Sequence, residues 1–456
     1  MVAHAEQGIS GIHPQGFLCN FCYNIAVWYI NFLVQNKGWV TPTKVRMLFG
    51  KKNANPVNTV DFPILFKPDG QRAMAYLDSA CQSLRPVQVT QAIQRYYEIS
   101  PACSGRSMHR LGTAVTSMVD ESRVQVAKFI NARRKEEIIF TRNTTEGINL
   151  LANTLRLRAG DIVLISDKEH NSNLIPWQKA AKDKGVIYKI VPSLPDNTFN
   201  LEAYQKLFDG NVKLVSLTAM SNLDGVANPA QEIIKIAHDK GALVLLDGAQ
   251  SVPHLHTDVQ ALDVDFLAFS GHKMCGPSGT GVLYGKYALL QELDTFMVGG
   301  DTVANSTYDS CDFLPPPEKF EAGLQDYAGI IGLGEAAKYL EKVGFNKIQQ
   351  IEHELNAAIT EGIQSIPGLH FIGPSNPILR NGIVCFYIDG LDSHRIALML
   401  DQMAAVMVRS GMHCVHSWFN ARKLQGSIRA SLYFYTTLED AEKLVTNLNK
   451  IQKVLR

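Results

Sequence analysis

The stretch LVLLDGAQSVPH (243–254), followed by DFLAFSGHKMCGPSGTGVLYG (265–285), decides the fold. Leu243 to Leu246 is an unbroken apolar run of strand length, and a run without alternation marks a parallel strand buried on both faces. It stops at Asp247. In an open α/β sheet the carboxyl ends of such strands border the ligand crevice. A second run, Phe266 to Phe269, ends in Ser-Gly-His-Lys, and glycines lead into a third, Val282 to Tyr284. Asp247 and Lys273 therefore come from two strand ends and can face one pocket. The glycine-rich run 276–281 is not a P-loop, because it precedes a strand and lacks the Gly-Lys-Ser/Thr ending.

An aspartate and a lysine so placed are what a pyridoxal 5′-phosphate (PLP) site needs. The lysine condenses with the aldehyde, and the aspartate keeps the pyridine nitrogen protonated so that the ring acts as an electron sink. Each residue alone has a plainer reading, a cap or loop residue for Asp247 and a solvated side chain for Lys273. Together they favour the cofactor. DGAQSVPH with SGHKMCGPSGTGVLYG closely resembles the class V, fold-type I PLP enzymes, and within them the Suf-type (group II) cysteine desulfurases. The resemblance runs from about Asp61 to the C-terminus.

Composition sets the outer bounds. Of 456 residues, 44 are Lys or Arg and 43 are Asp or Glu, so no bulk charge recruits nucleic acid or an acidic membrane. The cysteines, at 19, 22, 81, 103, 275, 311, 385 and 414, make no pair of CxxC motifs and imply no disulfide framework, which suits a reduced, cytoplasmic setting. Strands alternate with helices between about 138 and 285 without hairpin signals. That pattern predicts an α/β fold with a mostly parallel sheet covered on both faces. From about 340 the chain mixes helices with strands at 383–388 and 427–435 and reads as a smaller α+β domain. The expected division is an N-terminal extension (1–60), a large PLP-binding domain (61–335), and a small C-terminal domain (336–456) against which 61–80 is a candidate to pack. FLCNFCYNIAVWYINFLV (17–34) is apolar but interrupted by Asn20, Asn24 and Asn31. Three readings of it stay open: a packing helix, a weak membrane anchor, or a segment upstream of a true start at Met47.

The remaining motifs take their roles from the resemblance. After the strand at 138–140, Thr144 and Thr145 open a helix, where hydroxyls and free N–H groups form a phosphate cradle; simple N-capping by Thr144 is compatible with this. The resemblance makes Thr145 a phosphate ligand, joined by Ser270 and His272. It makes His170 the residue that stacks on the ring and relays protons, and Gln250 the partner of the cofactor O3′. Asn222 matches a residue that contacts the substrate or the O3′ region, with a structural turn as the competing reading. Arg429 resembles the arginine that clamps the substrate α-carboxylate through a planar fork. Arg106 and His109 match a loop near the active-site mouth, although a basic surface loop is an equal reading for Arg106.

VRSGMHCVHSWFN (408–420) resembles the family signature Arg-x-Gly-x-His-Cys, with Arg409 near Cys414. That makes Cys414 the thiolate that attacks the substrate sulfur. The implied reaction converts L-cysteine to L-alanine through Lys273, Cys414 and His170. Sulfur then passes as a persulfide to an acceptor or scaffold protein, for iron–sulfur cluster or other sulfur-containing cofactor assembly, and a homodimer is implied. The rivals are another class V activity (selenocysteine lyase, amino-acid lyase or aminotransferase) and a catalytically silent scaffold. Two departures stand out. Asp224 replaces an apolar residue and is expected to place an extra carboxylate near the pocket. Leu324-Gln325-Asp326 replaces Thr-Pro-Asn, removing a hydroxyl from the partner's phosphate, with Gln325 as its candidate substitute.

Overall fold

The computed structural model describes residues 59–455; the segment 17–34 lies outside them. Among the described residues no helix is long and apolar enough to cross a membrane.

The stretch 243–285 forms the middle of a seven-stranded sheet. In spatial order its strands are Ile138–Thr141, Gly281–Gly285, Phe266–Ser270, Leu243–Asp247, Val212–Thr218, Ile162–Ser166 and Ile187–Val191. From Phe266–Ser270 outward to Ile187–Val191, neighbouring strands run parallel. Gly281–Gly285 is antiparallel to both of its neighbours. The reason is chain length: residues 271–280 are too few for a crossover, so the chain turns back beside the strand it has just left.

Side chains alternate between two cores, as the strand period requires. Val244 and Leu246 share one with Leu164, Leu267 and Val282. Leu245 lies on the other with Val163, Phe266 and Leu283. Helices Val87–Ile99, Arg110–Phe129 and Tyr327–Val343 pack together on the first side, and Thr144–Thr154 and Asn171–Lys184 cover the second. The helix Tyr327–Val343 runs unbroken through position 335, where the sequence reading divides the chain.

A second, four-stranded antiparallel sheet has the order Leu369–Ile372, Ile383–Ile388, Ser427–Ser431, Arg409–Gly411. Helices Phe345–Ile363, Ser393–Ala404 and Leu438–Leu455 share its core. The strand expected over 427–435 ends at Ser431. Tyr433 and Thr436 close a turn through Thr436 N–H on the Tyr433 carbonyl at 2.9 Å, and three consecutive aromatics, Tyr433 to Tyr435, are buried there. Their strand propensity belongs to packing rather than to a ladder.

The early segment is tied to the elements around this second sheet, and Asp78 bridges Ser431 within it. Ala75–Tyr76 pairs in parallel with Val406–Met407. Arg72 grips the buried Asp440 through a fork, Nε to Oδ1 at 2.8 Å and Nη2 to Oδ2 at 2.5 Å. Strand Ser427–Ser431 carries Arg429 to the carboxyl edge of the large sheet, where its Nη1 donates to the Asn222 carbonyl at 2.9 Å.

Candidate active site

Asp247 and Lys273 occupy neighbouring strand ends, as the sequence reading places them. Asp247 is buried. Its Oδ1 accepts the Ala249 N–H at 2.9 Å, while burial pushes its carboxyl upward against the pull of Lys273. Lys273 is shifted down, chiefly by desolvation and also by Arg429, with Asp247 opposing. The two feel each other's charge, yet among the described residues no ion pair within 4.0 Å joins them. A desolvated amine facing a desolvated carboxylate across a gap suits a flat ring bonded at one end and charged at the other.

The cradle beside them is made of hydroxyls. Ser270 Oγ accepts the Thr144 N–H at 2.8 Å and shares a proton with its hydroxyl at 2.6 Å. Thr145 Oγ1 meets Ser172 Oγ at 2.7 Å. Helix Thr144–Thr154 can come this close to the sheet only because residue 281 is glycine; a Cβ there would lie 2.6 Å from the Asn143 Cα. His170 completes this wall. Its Nδ1 accepts the Ser172 N–H at 3.1 Å, which assigns the proton of the neutral ring to Nε2. Burial, with the charges of Lys273 and Arg429, pushes this imidazole down to about 3, so it stays neutral. His272 is likewise pushed down to about 4, mainly by burial and also by Lys273. Its carbonyl receives the N–H and the hydroxyl of Ser83 at 2.9 and 3.0 Å.

The residues fit PLP on a further observation. Gln250 is buried, its Nε2 donates to the Ala80 carbonyl at 2.7 Å, and its Oε1 has no partner. A buried acceptor left open is expected where a donor arrives with a ligand. Arg429 has a comparable vacancy. Nη1 is held by the Asn222 carbonyl, Nη2 reaches Asp78 Oδ1 only at 3.4 Å, and Nε is buried without a partner. One edge of the guanidinium is thus open to a carboxylate.

Several neighbours were not singled out in the sequence. Asp78 lies between Arg429 and Arg409, the latter at 3.8 Å, and burial raises its carboxyl despite both arginines. Arg409 Nη1 donates to Cys81 Sγ at 3.3 Å. Glu169, buried among Ser166, Asn173 and the Thr218 N–H, is pushed up to about 7 by burial, and the Asp247 charge adds to this. Only Ser172 carried a local signal, a hydroxyl at the second position after His170.

Cys414 is exposed. Both it and His413 have left-handed backbone, with φ of 59° and 50°. Asn222 Nδ2 donates to the His413 carbonyl at 2.8 Å, and the Asn171 N–H to the Cys414 carbonyl at 2.8 Å. Asn222 thereby links Arg429 to the cysteine turn, and Asn171 links that turn to His170.

Other singled-out residues lie elsewhere. Arg106 is exposed and pairs with Asp301. His109, also exposed, caps helix Arg110–Phe129 by accepting the Gly112 N–H at 3.2 Å. Among the described residues, neither bonds to the groups around Lys273. Asp224 does not present a carboxylate to the pocket as expected. It is fully buried and paired with Lys168 at 3.0 Å, because an ionised carboxylate removed from water requires such a partner. Leu324 is exposed. Gln325 turns its amide onto the carbonyls of Ala322 and Gly323 at 3.0 and 3.2 Å, and Asp326 caps the helix Tyr327–Val343.

Residues 75–444 match the aminotransferase class-V family. Proteins named cysteine desulfurase from Shigella sonnei and Escherichia coli K12 are each 40% identical over 399 residues, covering 87% of this chain and 97% of theirs. The solved structure of the cysteine desulfurase CsdA from Escherichia coli superposes with a TM-score of 0.80 at 29% identity, covering 91% of this chain and 100% of that one. An apo cysteine desulfurase from Thermococcus onnurineus gives 0.81 at 36% identity, with coverages of 84% and 95%. With a family match over most of its length and relatives aligned nearly end to end, the chain belongs to the class V aminotransferase family and groups within it with the cysteine desulfurases.

Proposed function

We infer that this chain is a PLP-dependent cysteine desulfurase that converts L-cysteine to L-alanine and takes the sulfur onto Cys414. The observation that carries the assignment of Cys414 is its tethering: the carbonyls of residues 413 and 414 are held by Asn222 and Asn171, which also contact or adjoin Arg429 and His170. Lys273 would bind PLP covalently, Asp247 would hold the ring nitrogen, and Gln250 would meet O3′. His170 would lie on the ring face, while Thr144, Thr145, Ser270 and His272 would hold the phosphate. When bound, PLP supplies the electron sink for charge developing at the substrate Cα.

The protein's own part follows from its electrostatics. The open edge of Arg429 receives the substrate carboxylate and fixes its orientation. Lys273, with its neutral form favoured by desolvation, takes the Cα proton and returns a proton to carbon. His170 keeps its proton on Nε2 and stays uncharged. Cys414 thiolate attacks the substrate sulfur; the new S–S bond forms as the C–S pair returns to carbon, which is protonated and leaves as L-alanine. An acceptor thiol or a reductant then removes the terminal sulfur.

A second copy of the chain is supported by exposed apolar side chains at Met297, Val298, Tyr308, Phe313 and Leu324. Two of them, Tyr308 and Phe313, belong to the hairpin formed by Val303–Ser306 and Cys311–Phe313. We place the boundary between the large and small domains after Val343, where the helix ends, and assign the enzyme to the cytoplasm and to sulfur supply for iron–sulfur or related cofactors. The test is product analysis. L-Cysteine with a reductant should yield equal amounts of L-alanine and sulfide; keto-acid-dependent amino transfer without sulfide would replace this reading with an aminotransferase.

A further inference from the structure

The turn carrying Cys414 is held from outside rather than by its own sequence. Left-handed backbone at two successive non-glycine residues, His413 and Cys414, is unfavourable unless the surroundings fix it. The turn closes through Val415 N–H on the Met412 carbonyl at 2.8 Å, and Trp418 and Phe419 bury the chain that follows. Between these anchors, Asn171 makes two contacts at once. Its backbone N–H donates to the Cys414 carbonyl at 2.8 Å, and its side-chain amide meets His416 Nδ1 at 3.0 Å. Asn171 directly follows His170, whose ring lies beside the Lys273 charge. One residue therefore spans from His170 to the carbonyl of Cys414 itself and to the side chain of His416, two residues on.

We propose that Asn171 and His416 form a clamp that positions Cys414 for attack on the substrate sulfur, with Asn171 as the positioning residue and His416, two residues after the cysteine, as its anchor. The proposal rests on the cysteine desulfurase reading for what Cys414 does, but its content is geometric. The Asn171 N–H survives any substitution except proline. Asn171→Ala and His416→Ala thus delete the same side-chain bond from opposite ends while leaving the other tether in place. The clamp acts after substrate capture, so its loss falls on the sulfur-transfer step and not on binding by Arg429.

The experiment is a double-mutant cycle on the PLP-loaded enzyme. Asn171→Ala and His416→Ala should each slow persulfide formation by about ten-fold or more, with KM for L-cysteine and the visible spectrum of the bound cofactor unchanged. The double variant should be no slower than the slower single, because both remove one bond. The same variants are alkylated with iodoacetamide in the absence of substrate. A changed rate at Cys414, shared by the singles and the double, supports the clamp whether or not the protein desulfurates cysteine. Additive losses, a rise in KM with an unchanged transfer rate, or wild-type alkylation and transfer in both singles would each overturn it. Failure of the wild type to accumulate sulfur on Cys414, with the alkylation pattern intact, would instead reject the functional reading.

Discussion

In the proposed reaction Lys273 and Cys414 act on one substrate from two walls of the site, and the two walls are built differently. Lys273 follows a strand locked between two neighbours in the seven-stranded sheet, near a carboxylate on the adjacent strand end. Its place is set by backbone ladders. Cys414 follows an edge strand of the smaller sheet, in an exposed turn of left-handed residues held by asparagine contacts from the other sheet's loops. Its place is set by isolated contacts, one from a side-chain amide and one from a backbone N–H. On the proposed reading the cofactor chemistry is part of the architecture, whereas the sulfur chemistry is mounted on it.

Substitutions can separate the two walls. Lys273→Ala should have the largest effect: loss of the visible cofactor chromophore and a fall in turnover of about a thousand-fold or more, since acid–base work of this kind supplies roughly that much. An unchanged spectrum would remove Lys273 from its role. Cys414→Ala should keep the chromophore while desulfuration falls about a hundred-fold, because only the acceptor is lost and the cofactor wall is intact. If the spectrum is lost as well, the walls are not independent. Arg429→Gln should raise KM for L-cysteine about ten- to a hundred-fold, the worth of a charge-assisted carboxylate contact at roughly 1.5–3 kcal/mol. Arg429→Lys, which keeps the charge but loses the fork, should fall between wild type and the glutamine variant.

The smallest effect concerns acid stability. Burial holds His170 at about 3, His272 at about 4 and His413 at about 2, all below the unfolded value near 6.5. The unfolded chain therefore takes up protons that the folded one refuses. The stability these groups contribute is present above about pH 6.5 and is lost as pH falls toward those depressed values. The thermal midpoint should drop between about pH 7 and pH 5, and His413→Asn should make that drop shallower. An equally steep decline in the variant would show that His413 does not take part.

This contrast also explains what could be read in the sequence. The apolar runs ending at Asp247 and Ser270 announced the parallel sheet and its crevice, because strand burial and strand ends are local properties. The antiparallel return of Gly281–Gly285 follows from the short connection before it. Family resemblance, rather than pattern, singled out Cys414, since nothing local distinguishes one loop cysteine from another. Asp78 and Cys81 stayed hidden because their meeting with Arg409 depends on Ala75–Tyr76 pairing with Val406–Met407, more than three hundred residues on. Asp224 looked like a pocket residue for the same reason: its partner Lys168 is 56 positions away. The strand at 427 was overextended because the aromatic run LYFY has strand propensity but is used in a buried turn.

The most direct test of the two-walled site is a single turnover with L-cysteine and no reductant, followed by alanine quantitation and mass spectrometry of the cysteine peptides. The account predicts alanine equal to the number of cofactor-loaded sites and one added sulfur atom on the peptide containing Cys414. Alanine formed with the added sulfur on another cysteine, such as Cys81, or on none, would contradict it.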